Sequence, residues 1–244
     1  MGVPRPDGFF GNCDPKNKKN YRTRCSALIS FGESNILIDT SPDLRQQLLD
    51  AKIKTINGVL YSHFHADQTH GINDLRAFFL NNGIMIPIYC DDITSKYLKN
   101  NFSYCFKKNY DYDPMLKINE LKKKFKVKML KNSLEILAIP VKHGSVNSIA
   151  YIIEKKIAYI SDVNEIYLKD MRYFKKLKYL IIDCLRFKKH PSHFSLNEII
   201  HLTNKLKPKK TILTNLHTDL DYDHLIEILP KNILPGFDGL TIIA

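Results

Sequence analysis

The run Ser62-His63-Phe64-His65-Ala66-Asp67-Gln68-Thr69-His70 places three histidines and an aspartate within eight positions, directly after an apolar segment at 56–61. Imidazole nitrogen and carboxylate oxygen are the donors that zinc and similar divalent ions take. In an extended segment, residues two apart point the same way, so His63 and His65 can grip one ion together. Asp67 shares that side if the backbone stays extended, or it turns toward a second ion nearby. Three further candidates sit just beyond strand-like runs: His143 after 134–139, Asp162 after 157–160 and His217 after 211–214. Loops at one end of a rigid sheet are where ligands converge in α/β folds.

The elements that must carry these residues alternate between strand and helix patterns. Runs at 26–31 and 35–38 flank Gly32-Glu33-Ser34 and predict a hairpin. A helix is expected over 42–51, with Ser41 as N-cap and Pro42 in the first helical position. Strand 56–61, helix 72–80, strand 84–90 and helix 92–99 follow. In the second half, strands are expected at 134–139, 149–153, 157–160, 180–183 and 211–214, with helices at 196–206 and 222–229. Ser195 with Glu198 forms a capping box for the first of these helices, and Asp221 is placed to cap the second. Lysines alternating with apolar residues over 122–131 predict an edge strand with its charges outward. The aromatics Phe102, Tyr104, Phe106, Tyr110 and Tyr112 are expected to fill a core beneath a long loop rather than to form a lid. No linker divides the chain, so one domain over 1–244 is expected, of sheets packed together and covered by helices.

Composition bounds the reading. No apolar run approaches the ~20 residues of a membrane span, and the start lacks the basic and apolar regions of a signal peptide, so a cytoplasmic location is expected. Five scattered cysteines without a CxxC pair argue against a disulfide framework or a closed cysteine-zinc site. The net charge of +12 suits a phosphorylated or nucleic-acid partner. The same lysine richness also follows from biased codon usage, so nucleic acid is not favoured as the partner.

In order, His63, His65, Asp67, His143, Asp162 and His217 resemble the ligand motifs of the metallo-β-lactamase-fold hydrolases. Gly2-Val3-Pro4, Gly11-Asn12-Cys13-Asp14-Pro15, the segment from Asn20 to Ser26, the segment from His70 to Arg76, Asp183-Cys184-Leu185-Arg186, His190-Pro191-Ser192-His193, the segment from Leu216 to Tyr222 and Phe237-Asp238-Gly239 are similar to one branch of that superfamily. That branch is the phosphoribosyl cyclic phosphodiesterase (PhnP) group, related to tRNase Z. The resemblance spans nearly the whole chain and implies a four-layer αβ/βα sandwich with metals at one edge.

It also implies roles. His63, His65 and His143 would hold a first ion, Asp162 would bridge, and Asp67 and His217 would hold a second ion with a histidine after the aspartate. This chain has Gln68 there, and an amide oxygen is a weaker zinc ligand than imidazole. The second site is then weakened, filled by a harder ion such as Mn2+ in place of Zn2+, or empty. His70 is not an obvious replacement. Cys13 lies where some relatives hold a structural metal, but with no second cysteine nearby none is expected.

The implied chemistry is attack by metal-activated water on a small cyclic or nucleotide-like phosphodiester, with Asp67 orienting the nucleophile and His193 protonating the leaving alkoxide. Asp183 and Asp219 would orient ligand histidines, and Arg76 and Arg186 would bind phosphate or form buried ion pairs. The alternatives are a lactone or thioester hydrolase, an RNA-processing nuclease, or a non-catalytic member degenerate at Gln68. Relatives also carry a strand before Gly2-Val3-Pro4, so this start reads as either shortened or misassigned. Many relatives pair, which makes a homodimer an expectation.

Overall fold

A computed structural model describes residues 2–108 and 112–244. Met1, on which the expectation about the start falls, and Tyr110 of the aromatic run lie outside the described residues. The chain forms two compact units, one of Cys25–Glu135 and one of Met1–Arg24 with Ile136–Ala244.

The first of these units opens with the expected hairpin. Strands β1 (Ala27–Phe31) and β2 (Ser34–Ile38) pair antiparallel, with Ala27 opposite Ile38. Helix α1 (Leu44–Asp50) begins later than expected. The Leu44 amide donates to the Ser41 carbonyl at 2.9 Å, and the Asp43 amide donates to Ser41 Oγ at 3.2 Å. Pro42 and Asp43 therefore form a tight turn ahead of the helix, and Ser41 is not its N-cap.

Strand β3 (Gly58–Leu60) then leads into the short helix α2 (Ala66–Thr69). The helix expected over 72–80 divides into a 3-10 turn at Ile72–Leu75 and helix α3 (Arg76–Asn82), which ends at Gly83 with φ of 63°. Strand β4 (Ile86–Cys90), helix α4 (Asp92–Asn101), strand β5 (Leu116–Glu120) and strand β6 (Lys124–Lys128) complete the series. The first five strands form one sheet in the order β1–β2–β3–β4–β5, antiparallel at β1/β2 and parallel thereafter. Strand β5 (Leu-Lys-Ile-Asn-Glu) was not among the expected elements: its alternation is only four residues long. β6 stands at a sheet edge with its lysines exposed and Val127 buried, as expected.

Leu37, Val59, Tyr61, Ile72, Leu75 and Ile88 belong to one core in this unit. Phe102 and Phe106 pack against it, but Tyr112 is exposed and Tyr104 partly so, with the Arg76 guanidinium 5.4 and 5.9 Å from their rings. Core filling thus holds for the phenylalanines and not for these tyrosines. Hydroxyls on the tyrosines and a neighbouring cation favour the wet surface.

The other unit takes most of β7 (Ser133–His143), followed by β8 (Val146–Ile153), β9 (Ile157–Ile160), β10 (Tyr179–Asp183), helix α5 (Leu196–Leu206), β11 (Lys210–Thr214), helix α6 (Tyr222–Ile228) and β12 (Ile233–Pro235). Within it the strands run in the order β12–β11–β10–β9–β8–β7. β7, β8 and β9 are antiparallel, whereas β9, β10, β11 and β12 are parallel. Parallel strands buried on both faces read as continuous apolar runs, which is why Leu180–Ile182 and Ile212–Leu213 were legible. The Ser195/Glu198 capping box is present, and Asp221 caps α6 by accepting from the His224 amide at 3.0 Å. Mixed sheets with helices make the α/β class the observed one. Among the described residues no helix is long and apolar enough to cross a membrane.

Candidate metal centre

His63 and His65 flank the bend at which β3 ends and α2 begins. Their backbone is extended at His65 (φ −60°, ψ 153°), and His63 Nε2 lies 2.9 Å from His65 Nδ1. The two candidate ligand nitrogens thus converge as the spacing predicts. Asp67 departs from the extended reading: it sits in the first turn of α2, so helical backbone turns it off the histidine line.

Thr40 positions this helix. Its amide donates to the Gln68 carbonyl at 2.8 Å, its carbonyl accepts from the Gly71 amide at 2.9 Å, and its hydroxyl donates to the Thr69 carbonyl at 3.1 Å. A Cβ at Gly71 would overlap the Ser41 carbonyl oxygen, so this close approach requires glycine.

Two residues not singled out in the sequence orient His63. Asp39, fully buried after β2, accepts from the Ser62 amide at 2.7 Å and from the Ser62 hydroxyl at 2.8 Å. With its proton given to Asp39, the hydroxyl accepts from His63 Nδ1 at 3.0 Å. That tautomer turns the Nε2 lone pair toward a ligand position. Burial pushes the Asp39 carboxyl up to about 8, with the Ser62 bonds acting against it; a cation at the histidines acts in the same direction as those bonds. An aspartate closing the apolar run Ile36-Leu37-Ile38 was the sequence signal for it.

Gln68 is 1% exposed, and its Oε1 has no hydrogen-bond partner. An orphaned buried carbonyl oxygen costs about 1–3 kcal/mol unless something absent from the chain satisfies it. His70 is exposed and its Nε2 meets the Tyr97 hydroxyl at 3.0 Å, so it does not take the place of a ligand at position 68.

In the other unit, His143 is the last residue of β7 rather than a residue of the loop beyond it. Its Nδ1 donates to the Ser192 carbonyl at 2.7 Å, and its Nε2 faces Asp162 Oδ2 at 3.5 Å. Gly144 turns the chain immediately after it with φ of 60°, and a Cβ there would press on the Ser192 side chain at 2.9 Å. Asp162 follows β9 and is buried. Asp183, at the end of β10 and fully buried, accepts from His193 Nδ1 at 2.7 Å and from the Val163 amide at 3.1 Å. Burial raises the Asp183 carboxyl, and the paired His193 opposes it. The His193 ring lies edge-on to His143, centroids 4.8 Å apart. His217 lies beyond β11, its amide on the Leu185 carbonyl and its Nδ1 3.2 Å from Thr218 Oγ1. Burial holds it below the usual imidazole range, which favours the neutral, ligating form.

Three expectations change. Asp219 accepts from the Phe187 amide at 3.1 Å and so braces the loop after β10 instead of a histidine. Arg186 donates to the carbonyls of Lys188 and Lys189 at 3.1 and 2.7 Å, a loop-closing role rather than a buried ion pair. Arg76 lies over the tyrosine rings. The resemblance and guanidinium chemistry give what both arginines can bind, and neither specifies which acceptor lies within reach. In the first unit the converging His63 and His65 nitrogens, and in the other the His143 nitrogen facing the Asp162 carboxylate, are each donors that suit a divalent metal ion.

Comparison with known proteins identifies the family and fold. A profile described as Beta-lactamase superfamily domain matches residues 34–215. A solved structure described as a new diphosphatase from the PhnP family has a TM-score of 0.86 and 29% identity, covering 98% of this chain and 91% of its own. Zn(2+)-bound PqqB from Methylobacterium extorquens shares the fold at a TM-score of 0.73 and 17% identity, over 100% of this chain and 96% of its own. An octanoyltransferase of Porphyromonas gingivalis (strain ATCC BAA-308 / W83) is 32% identical over 247 residues, 99% of this chain. The chain spans about half the length of that curated relative, 49%.

Proposed function

Since the chain belongs to the β-lactamase superfamily, as a metallo-β-lactamase-fold hydrolase resembling the PhnP group, we propose that it is a metal-dependent phosphodiesterase acting on a small cyclic or nucleotide-like phosphodiester. The observation that carries the reading is the His193–Asp183 pair at 2.7 Å, set edge-on to the ligand candidate His143. A hydrolase that must expel an alkoxide needs a positioned proton donor of this kind. The diphosphatase relative supports phosphoryl over acyl chemistry.

In this reading His63, His65, His143 and Asp162 would hold one ion, and Asp67 and His217, with the Gln68 amide oxygen as a further donor, would hold a second. Zn2+ suits the imidazole-rich set, and Mn2+ is the alternative where Gln68 contributes oxygen. When bound, such ions lower the pKa of coordinated water toward ~7 and neutralise charge on the phosphoryl group.

The chain's residues do the rest. Asp39 and Ser62 fix the His63 tautomer, and the Ser192 carbonyl fixes that of His143. Asp67 orients the nucleophile. Asp183 holds Nδ1 of His193, so the proton that passes to the leaving oxygen is the one on Nε2. The substrate is a small molecule rather than nucleic acid, the setting cytoplasmic, and a homodimer its assembly.

One observation favours a second reading. The octanoyltransferase relative places a similar chain within an acyl-transfer protein, so an acyl thioester or lactone is the rival substrate. Elemental analysis of protein purified without chelator, followed by turnover of a cyclic phosphodiester, a diphosphate diester and an octanoyl thioester, separates the two. Bound metal with phosphodiester turnover is the expected result. Thioester turnover alone would transfer the assignment to acyl hydrolysis, and protein without metal or turnover would leave the degenerate reading.

A further inference from the structure

Asn215 follows β11 at φ of 59°, a left-handed conformation that asparagine tolerates better than most residues. Its side chain does more than fill that turn. The single amide nitrogen lies 3.2 Å from Asp162 Oδ1 and 3.1 Å from Asp183 Oδ1. An amide nitrogen carries two hydrogens, so both bonds can be made at once.

The two acceptors end neighbouring parallel strands. β10 lies between β9 and β11, and the carboxylates that follow or close β9 and β10 are bridged from the end of β11. Both carboxylates are buried, Asp162 to 3% exposure and Asp183 to 0%. Two acids so close repel each other unless a donor stands between them. With Oδ1 of Asp162 held by Asn215, its Oδ2 is the oxygen turned to His143. Asp183, with Asn215 on Oδ1 and with Val163 and His193 on Oδ2, is fixed at both ends.

We propose that Asn215 is a positioning residue tying the ligand carboxylate Asp162 to the His193–Asp183 pair, so that metal grip and proton donor share one anchor. The inference rests on Asp162 being a metal ligand, as proposed above. The competing explanation is that position 215 needs only a residue that accepts positive φ. Glycine separates the two, since it keeps that conformation and removes the amide.

The experiment uses the full chain, stripped with chelator, as wild type, Asn215→Gly and Asn215→Ala. Zinc affinity is measured by competition with a chromophoric chelator, and thermal unfolding is recorded on the stripped proteins. The expected result is zinc binding weakened about 10–100-fold in both variants, as for other residues that orient a ligand, with stripped Asn215→Gly unfolding close to wild type. Wild-type affinity in Asn215→Gly would overturn the proposal, and so would its failure to fold, which would assign position 215 to structure. If wild type itself binds no zinc, the reading of Asp162 as a ligand falls first and this inference with it.

Discussion

At the scale of single residues, the candidate centre is a set of tautomers and rotamers set by hydrogen bonds. His193 is held at Nδ1 by a fully buried carboxylate 2.7 Å away. His193→Ala should lower kcat about 10²–10⁴-fold, the usual contribution of a positioned acid, with metal content unchanged; steady-state kinetics beside elemental analysis checks it. Loss of metal in that variant would instead make His193 a ligand. Gln68 is the residue most at odds with the ligand series. Gln68→His should tighten binding of a second zinc equivalent, read by titration of stripped protein. Unchanged stoichiometry and affinity would mean the orphaned Oε1 has no part in ion binding.

At the scale of elements, caps and close approaches hold the loops that carry the candidate ligands. Asp221 caps α6 through the His224 amide and also accepts from the Asp14 amide at 3.0 Å and the Asn20 amide group at 2.6 Å. Burial pushes its carboxyl up, but the backbone donors and Asn20 outweigh this and hold it below its ordinary value. A folded-state pKa that is depressed stabilises above the unfolded value of ~3.9, and that stabilisation is lost as pH falls through the folded value. Asp221→Ala should therefore cost about 1 kcal/mol near neutrality. The gap from wild type in urea unfolding should close as pH drops below ~4. A gap that persists at low pH would assign Asp221 to packing. Gly71→Ala should also destabilise strongly, because its Cβ would overlap the Ser41 carbonyl and push α2 from Thr40.

At the scale of the whole molecule, each compact unit has its own apolar core. Leu180, fully buried in the unit containing β10, should cost about 2–5 kcal/mol as Leu180→Ala. Metal should add to this stability by mass action. Zinc at 100 times its dissociation constant raises stability by about 2.7 kcal/mol, so chelation should lower the Tm. A Tm indifferent to chelator and to added zinc would count against the proposed ligand set.

How much the sequence determined follows from how local each feature is. The alternation of strand and helix, the hairpin at Gly32, the capping box at Ser195 and the His63/His65 pair all rest on neighbours a few residues apart, and their side-chain periods are written in the chain. The shared ligand order from His63 to His217 also pointed to the superfamily before any fold was seen. What only tertiary structure decided depends on residues distant in sequence. Asp39 reaches Ser62 across 23 positions, and Asn215 reaches Asp183 across 32 and Asp162 across 53. The move of Asp219 onto Phe187, across 32 positions, belongs to the same class. A charge or amide in a sequence shows what it can bond. Which partner it meets is fixed only when packed strands bring their ends together and burial makes every unpaired polar group costly.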